Sequence, residues 1–265
     1  MKIVVCIKAV PGSTEVKMDP KTHTIIRDGG ESVINPFDAA ALEVALRIKD
    51  TRVAAGEECS VTVLSMGIPA TEKLLRDCIA RGADAGLLLS DRAFAGADTL
   101  ATTYALTCGV AHIGAPDLVL CGKMAVDGDT AQIGPELAGA LRTPCATGVV
   151  ALDSVGPRSV AVRRESDAGV ASVELPLPAV LTVAKDVAEL RMASIAGICA
   201  AESVKIPMLS AAAVGADTAR TGLSGSPTQV VRSFVPERDE QGVEIAGDAA
   251  TQATALAEIL RGMAL

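Results

Sequence analysis

Short, largely apolar runs recur along the first two-thirds of the chain, and each is followed by a segment with helical spacing. This alternation limits the fold more than any other feature. Residues 3–7 form the first run, and residues 61–64, 85–89 and 117–121 give three more. Runs of this length without polar alternation belong to strands buried on both faces, the usual condition of a parallel sheet. The helical segments lie between them. Asn35-Pro36-Phe37-Asp38 carries a favoured N-cap, a proline at the first helical position and an acid three residues after the cap. That box-like start opens a helix running to Asp50. Thr71 opens a second, with Leu74, Leu75, Cys78 and Ile79 on one face and Gly82 as its stop; residues 99–110 give a third. Strand and helix in strict alternation predict an α/β fold, a doubly wound and mainly parallel sheet.

The pattern changes near residue 150. Residues 160–162, 170–173 and 180–183 are short β-like runs separated by Asp, Gly and Pro, which predicts a small β annex on the sheet. Residues 203–247 lose periodicity and hold Gly215, Gly222, Gly225, Pro227 and Pro236. A long structureless segment does not sit easily in a compact domain. Because Val230, Val231, Phe234 and Val235 are too apolar for a solvated linker, this stretch reads as an arm on a partner. The expected division is an α/β nucleotide-binding domain with its annex over residues 1–202, then a C-terminal arm and helix over 203–265. The last helix places Ala249, Ala253, Leu256, Leu260 and Met263 on one stripe.

Composition removes several functions. Net charge is −8 at pH 7 with no Lys/Arg cluster, which argues against nucleic acid. No apolar stretch approaches the roughly 20 residues needed to cross a bilayer, and the N-terminal run is too short for a signal-peptide core. The seven cysteines lack CxxC spacing and mostly occupy apolar patterns, as in reduced cytoplasmic proteins. His23 and His112, the two histidines, have no partner spacing for a metal. Tryptophan is absent and tyrosine occurs once, so stacking on a ligand must come from aliphatic groups, backbone or another chain.

Open α/β sheets bind ligands beyond the carboxyl ends of their strands. Three segments fall there: Lys8-Ala9-Val10, Ser65-Met66-Gly67 and the stretch CGKMAVDGDTAQIGP at 121–135. The third has a Gly-Lys pair followed by Met124, where a P-loop would carry Ser or Thr. Its residues 130–141 can form a helix capped by Asp129 or Thr130, with Gly128 in a conformation cheap only for glycine. Two readings stand: an ordinary capped helix on a strand–helix connection, or an anion site built from the open amides of a helix N-terminus. A helix terminus contributes about 0.3–2 kcal/mol to binding an anion, whereas micromolar affinity needs about 8 kcal/mol. The other rim segments must therefore contribute. Ala9 is small enough to admit a flat ring, Asn35 can hydrogen-bond a sugar or base, and Met66 offers a polarizable surface.

The pattern VVCIKAVPG, NPFDAAALEVALRIKD, SMG, RGADAGLLL and GKMAVDGDTAQIGPELA resembles the β subunit of electron transfer flavoprotein, and the similarity runs over nearly the whole chain. The resemblance implies a heterodimer with an α subunit that holds the electron-carrying FAD. It also implies a nucleotide site in this chain, holding AMP in the conventional branch and a second FAD, reduced by NADH, in the electron-bifurcating branch. By resemblance the site includes Ala9, Val10, Asn35 and Met66, with Lys123, Met124 and Ala125 leading into the loop. Its centre is Asp127, Gly128, Asp129 and Thr130, followed by Ala131, Gln132, Ile133 and Gly134. The VKMDPKTHTIIRDGG segment, the Gly-Asp-Thr-Ala-Gln version of the loop and GLSGSPT lean to the bifurcating branch, with ferredoxin or flavodoxin as the low-potential acceptor. No residue of the chain is expected to act as a general acid or base, since the chemistry belongs to the cofactor.

Residues 189–195 resemble the family's recognition loop for acyl-CoA dehydrogenases, which makes Arg191, Met192 and Ile195 candidate docking residues. The segment lacks the family's Pro before Arg191, and Cys199-Ala200-Ala201-Glu202 replaces a basic run. Met124 stands where Gln is common. A stand-alone nucleotide-binding regulator of similar architecture is the reading from another class, and an apolar arm would be left unpaired in it. An ATP-pyrophosphatase is disfavoured because no SGGxDS-type loop follows any predicted strand.

Overall fold

A computed structural model of the chain describes residues 1–12, 32–231, 242 and 244–263. The VKMDPKTHTIIRDGG segment, His23, Phe234, Val235 and Pro236 lie outside the described residues. The elements, in chain order, begin with β1 (Lys2–Cys6), β2 (Ala9–Pro11), β3 (Ser32–Ile34), α1 (Pro36–Ala54), β4 (Ser60–Met66), α2 (Glu72–Ala80) and β5 (Ala85–Leu89). They continue with α3 (Thr99–Ile113), β6 (Leu118–Gly122), α4 (Ile133–Leu141), β7 (Cys145–Val155), β8 (Ser159–Ser166) and β9 (Gly169–Pro176). The last are β10 (Ala179–Val183), α5 (Ile195–Ser203), β11 (Met208–Leu209) and α6 (Ala249–Gly262).

One nine-stranded sheet runs through the described residues in the order β11-β5-β4-β1-β6-β10-β7-β8-β9, and β2 and β3 form a separate antiparallel ribbon. From β11 to β7 every pairing is parallel; β8 and β9 then add antiparallel. The apolar runs are continuous because both sheet faces are covered. On β1, Ile3 and Val5 join the core under α1 and α2, while Val4 and Cys6 join the core under α3 and α4. β6 divides in the same way, Leu118 and Leu120 to one side and Val119 and Cys121 to the other.

Two expectations are corrected here. Residues 180–183 are not part of the annex: β10 is wholly buried between β6 and β7, and it pairs parallel with both. The annex that remains is the antiparallel meander β7–β8–β9, in which β8 pairs with the far half of the long β7 and with β9. Residues 206–228 do not leave the body either. β11 adds to the edge of β5, Thr221 and Ser226 are buried, and Asp98 accepts hydrogen bonds from the backbone N–H and hydroxyl of Thr228. The Asp217 N–H donates to the Tyr104 hydroxyl, and Arg220 stacks 3.9 Å above the same ring. Irregular backbone therefore finds its partners on its own domain, as buried polar groups must. Beyond it, Val230 and Val231 stay exposed, and α6 buries none of its residues.

Candidate functional site

In strand order the chain moves from β1 to β4 and β5, then returns to place β6 on the other side of β1. The topological switch point thus lies between β1 and β6, the position at which open α/β sheets hold their ligands. The segments after β1 and β6 are two of the three rim segments expected from the sequence. Met66 ends β4 on the same rim, on the far side of β1.

Asn35 joins the two main segments. Its backbone N–H donates to the Lys8 carbonyl at 3.0 Å. Its side-chain amide donates to the Met124 carbonyl at 2.8 Å, and its carbonyl oxygen accepts the Val126 N–H at 3.2 Å. Both valences of the amide hold the loop, and the residue is 1% exposed. The expected capping box therefore does not form: Asn35 makes no side-chain cap bond to α1. Asp38 is diverted as well, accepting the Lys8 N–H at 2.8 Å and the Gly122 N–H at 2.9 Å. Burial raises its pKa to about 7, against the opposing pull of those N–H groups, the Asn35 amide and the Lys8 charge. Lys8 also reaches over the loop, its ammonium 2.5 Å from Asp127 Oδ1.

The loop itself differs from expectation in its hinge residues. α4 begins at Ile133, three residues later than predicted, with Gln132 at the cap and no side-chain cap bond. Neither Asp129 nor Thr130 caps it. The left-handed backbone falls on Asp129 and Ala131, both at φ 55°, and not on Gly128. Alternating signs of φ over consecutive residues turn successive N–H groups toward one side, the geometry of an anion-binding concavity. Among the described residues, no hydrogen bond of the chain uses the N–H groups of Thr130, Ala131, Gln132 or Ile133. Residues 126–132 are exposed, whereas Gly134 is buried against Thr182 on β10. An open set of amides on a loop anchored at both ends fits a phosphate-bearing nucleotide.

Ala9, Asn35, Met124, Ala125 and Asp127 are linked by direct bonds or by one intervening residue. Val10 is 1% exposed and packs as core in the β2–β3 ribbon. Lys123 donates its backbone N–H to Val183, fixing the loop base to β10. Asp38 is the residue missing from the sequence reading of the site; Lys8 and Gly122 enter it only as members of the rim segments, without a role of their own. A signal for Asp38 did exist: an acid with apolar residues at i+3, i+4 and i+7 (Ala41, Leu42 and Ala45) sits on the buried stripe of its own helix.

The docking candidates separate. Arg191 is occupied within the chain, paired with Glu43 at 2.9 Å and with Asp50 at 2.8 Å. Met192 and Ile195 are 85% and 84% exposed. Among the described residues no group of three or more His, Cys, Asp or Glu side chains gathers to hold a metal, and no helix is long and apolar enough to cross a membrane.

The family model described as the electron transfer flavoprotein domain matches residues 22–214. An electron transfer flavoprotein β subunit from Megasphaera elsdenii is 44% identical over 249 residues, covering 92% of this chain and 90% of that protein. The CarD subunit of a caffeyl-CoA reductase–Etf complex from Acetobacterium woodii is 44% identical over 247 residues, covering 93% and 92%. Protein FixA from Azorhizobium caulinodans is 44% identical over 244 residues, covering 89% and 85%. The chain belongs to the electron transfer flavoprotein family, among its β subunits, a membership that implies a flavin or nucleotide cofactor and an α-subunit partner.

Proposed function

We propose that this chain is the β subunit of an electron-bifurcating electron transfer flavoprotein, with a second FAD held at the β1/β6 switch point. Bound there, that flavin would supply hydride acceptance from NADH and the division of the electron pair. One electron would go to the α-subunit FAD and on toward an acyl-CoA dehydrogenase, the other to ferredoxin or flavodoxin. The chain's own residues bind and orient. Asn35 and Lys8 hold the loop, the amides after Asp129 receive phosphate, and Ala9 leaves room beside β2 for a flat ring. Met192 and Ile195 present an apolar surface to a dehydrogenase, on a segment that Arg191 fastens to α1.

The observation that carries the nucleotide reading is the anchoring of the loop by Asn35 at its start and Lys8 at its tip, which leaves the amides after Asp129 without partners in the chain. The Gly-Asp-Thr-Ala-Gln version of the loop and the GLSGSPT stretch support the choice of branch. Coexpression with the α partner, followed by release and counting of ligands, tests it. Two FAD per heterodimer is the expected result. One FAD and one AMP would replace the second flavin with a structural nucleotide and make this a conventional β subunit.

A further inference from the structure

Asp38 lies at the switch point and is bound to both strand ends that flank it. One carboxylate oxygen accepts from Lys8, just beyond β1, and the other from Gly122, the last residue of β6. Those two residues carry the two sides of the candidate site. Lys8 reaches Asp127 with its side chain and Asn35 with its carbonyl, and Gly122 leads directly into the loop. The fit around the carboxylate is close. A β-carbon on Gly122 would stand 2.4 Å from Asp38 Oδ1 and 2.6 Å from Phe37 Cβ. At 7% exposed as a residue, a single buried carboxylate sets the spacing of the two rim segments.

Resting on the nucleotide reading above, we infer that Asp38 is a positioning residue of that site: its ionised carboxylate holds the rim segments in the binding geometry, and occupancy of the site releases the Asp38 proton. The ionised group accepts both N–H bonds as charge-assisted bonds, whereas the protonated group has one weakened acceptor and a hydroxyl that needs a partner of its own. Burial places its titration near pH 7, so both forms are populated in the neutral range. The groups facing it do not obscure this. Lys8, on the β1 side, has its ammonium occupied by Asp127, and Lys123 follows Gly122 on the β6 side. The thiol of Cys121 on β6 is raised by its hydrogen bond with Cys6 and by burial, and that of Cys78 on α2 is raised by burial, so both stay neutral. Asn35, on its own helix start, does not titrate.

The test is calorimetric titration of AMP, the part common to both candidate ligands, into the nucleotide-depleted heterodimer. Buffers of different ionisation enthalpy report the proton balance. Beyond the exchange of the AMP phosphate itself, which titrates at about pH 6, the wild type is expected to release about half a proton at pH 7 and to bind about tenfold more weakly at pH 6 than at pH 8, the penalty when only the ionised fraction binds. Asp38→Asn leaves only the buffer dependence and pH dependence that the AMP phosphate brings by itself. Lys8→Met keeps the carboxylate but deletes the cation that stabilises its ionised form, so the midpoint of the pH profile moves upward. That variant decides the matter should Asp38→Asn fail to assemble. Proton uptake or no linked proton beyond that of the phosphate, equal release in Asp38→Asn or an unmoved midpoint in Lys8→Met overturns the inference. Absence of AMP binding to the wild type overturns the nucleotide reading itself, and the missing heat distinguishes that failure from a missing proton.

Discussion

The Arg191 guanidinium meets the Glu43 carboxylate through two hydrogen bonds, Nε to Oε2 at 2.9 Å and Nη2 to Oε1 at 3.0 Å, and the Arg191 N–H adds a third at 3.1 Å. Glu43 is 4% exposed in the middle of α1. Burial alone would raise its pKa, but the bonds from Arg191 and Arg47 outweigh it and hold the carboxyl below its ordinary value. The stabilisation is therefore present above the ordinary Glu range and lost as pH falls through the depressed value. Glu43→Gln is expected to cost about 2 kcal/mol at pH 7, the loss of a charge-assisted bidentate pair at a partly exposed arginine. Urea unfolding from pH 7 to pH 3 checks it, with the gap between the two proteins closing at the acid end.

Asp38 gives the opposite pH dependence. Its pKa in the folded chain is about 7 against an ordinary 3.8, so between those values the folded state binds the extra proton. Stability then falls as pH rises from about 4 to about 7, by on the order of a few kcal/mol, and levels off above. Asp38→Asn removes that slope. Denaturation midpoints of the heterodimer at pH 5 and pH 8 would move closer together than in the wild type.

Lys8 and Asp127 are half and one-third exposed in their side chains, so their pair contributes little to folding. Lys8→Met is expected to change stability by less than about 1 kcal/mol. Nucleotide retention should nevertheless fall, because the loop loses its tie to the β1 side. Dissociation rates measured in low and high salt check this: the wild type should approach the variant as salt screens the pair.

Two glycines of α4 should respond with opposite sign. A β-carbon at Gly134 would lie 2.1 Å from Thr182 Cγ2, whereas one at Gly139 meets nothing within 4 Å. Gly134→Ala is expected to destabilise by about 1–3 kcal/mol through overpacking on β10. Gly139→Ala should stabilise by about 0.5–1 kcal/mol through lower backbone entropy in the unfolded chain. Thermal or chemical unfolding of the two variants side by side decides it.

Ala131 holds a left-handed conformation that L-residues adopt at a cost of about 1–2 kcal/mol. Ala131→Gly should recover part of that, less the added entropy of the unfolded glycine, leaving a gain below about 1 kcal/mol. Asp129→Ala should cost a few tenths of a kcal/mol because aspartate tolerates this region better than alanine, with no loss of a helix cap. A loss of helix content measured by circular dichroism would show that Asp129 caps α4 after all.

Much of the architecture was legible in the sequence because burial on both faces leaves no polar alternation. Residues 85–89 were read with the strand's true bounds, and the strands at 3–7, 61–64 and 117–121 were read with ends differing by one or two residues. β10 has the same five-residue apolar character as β1, but its neighbours in sequence are the annex strands. Sequence proximity therefore assigned it to the wrong part of the sheet, and only long-range pairing with β6 and β7 places it. The irregular stretch after α5 was misread for a similar reason. Its hydrogen-bond partners, Asp91, Asp98 and Tyr104, lie more than a hundred residues earlier.

By itself, the sequence determined the strand–helix alternation, the rim on which the three segments fall and the loop at 121–135, since apolar periodicity and turn chemistry are local properties. The tertiary structure alone decided what Asn35, Asp38 and Glu43 do. All three are polar residues at the start or on the buried surface of one helix, and local rules assign such residues to capping and solvation. Their partners, the Met124 carbonyl, the Lys8 and Gly122 N–H groups and the Arg191 guanidinium, are brought to them by strand order and chain return. A buried amide or carboxylate takes whichever donors the fold delivers, because leaving it unpaired costs more than giving up a local cap. The loop CGKMAVDGDTAQIGP is held from outside itself, by Asn35 at its start and Lys8 at its tip, and that anchoring is invisible in its own residues.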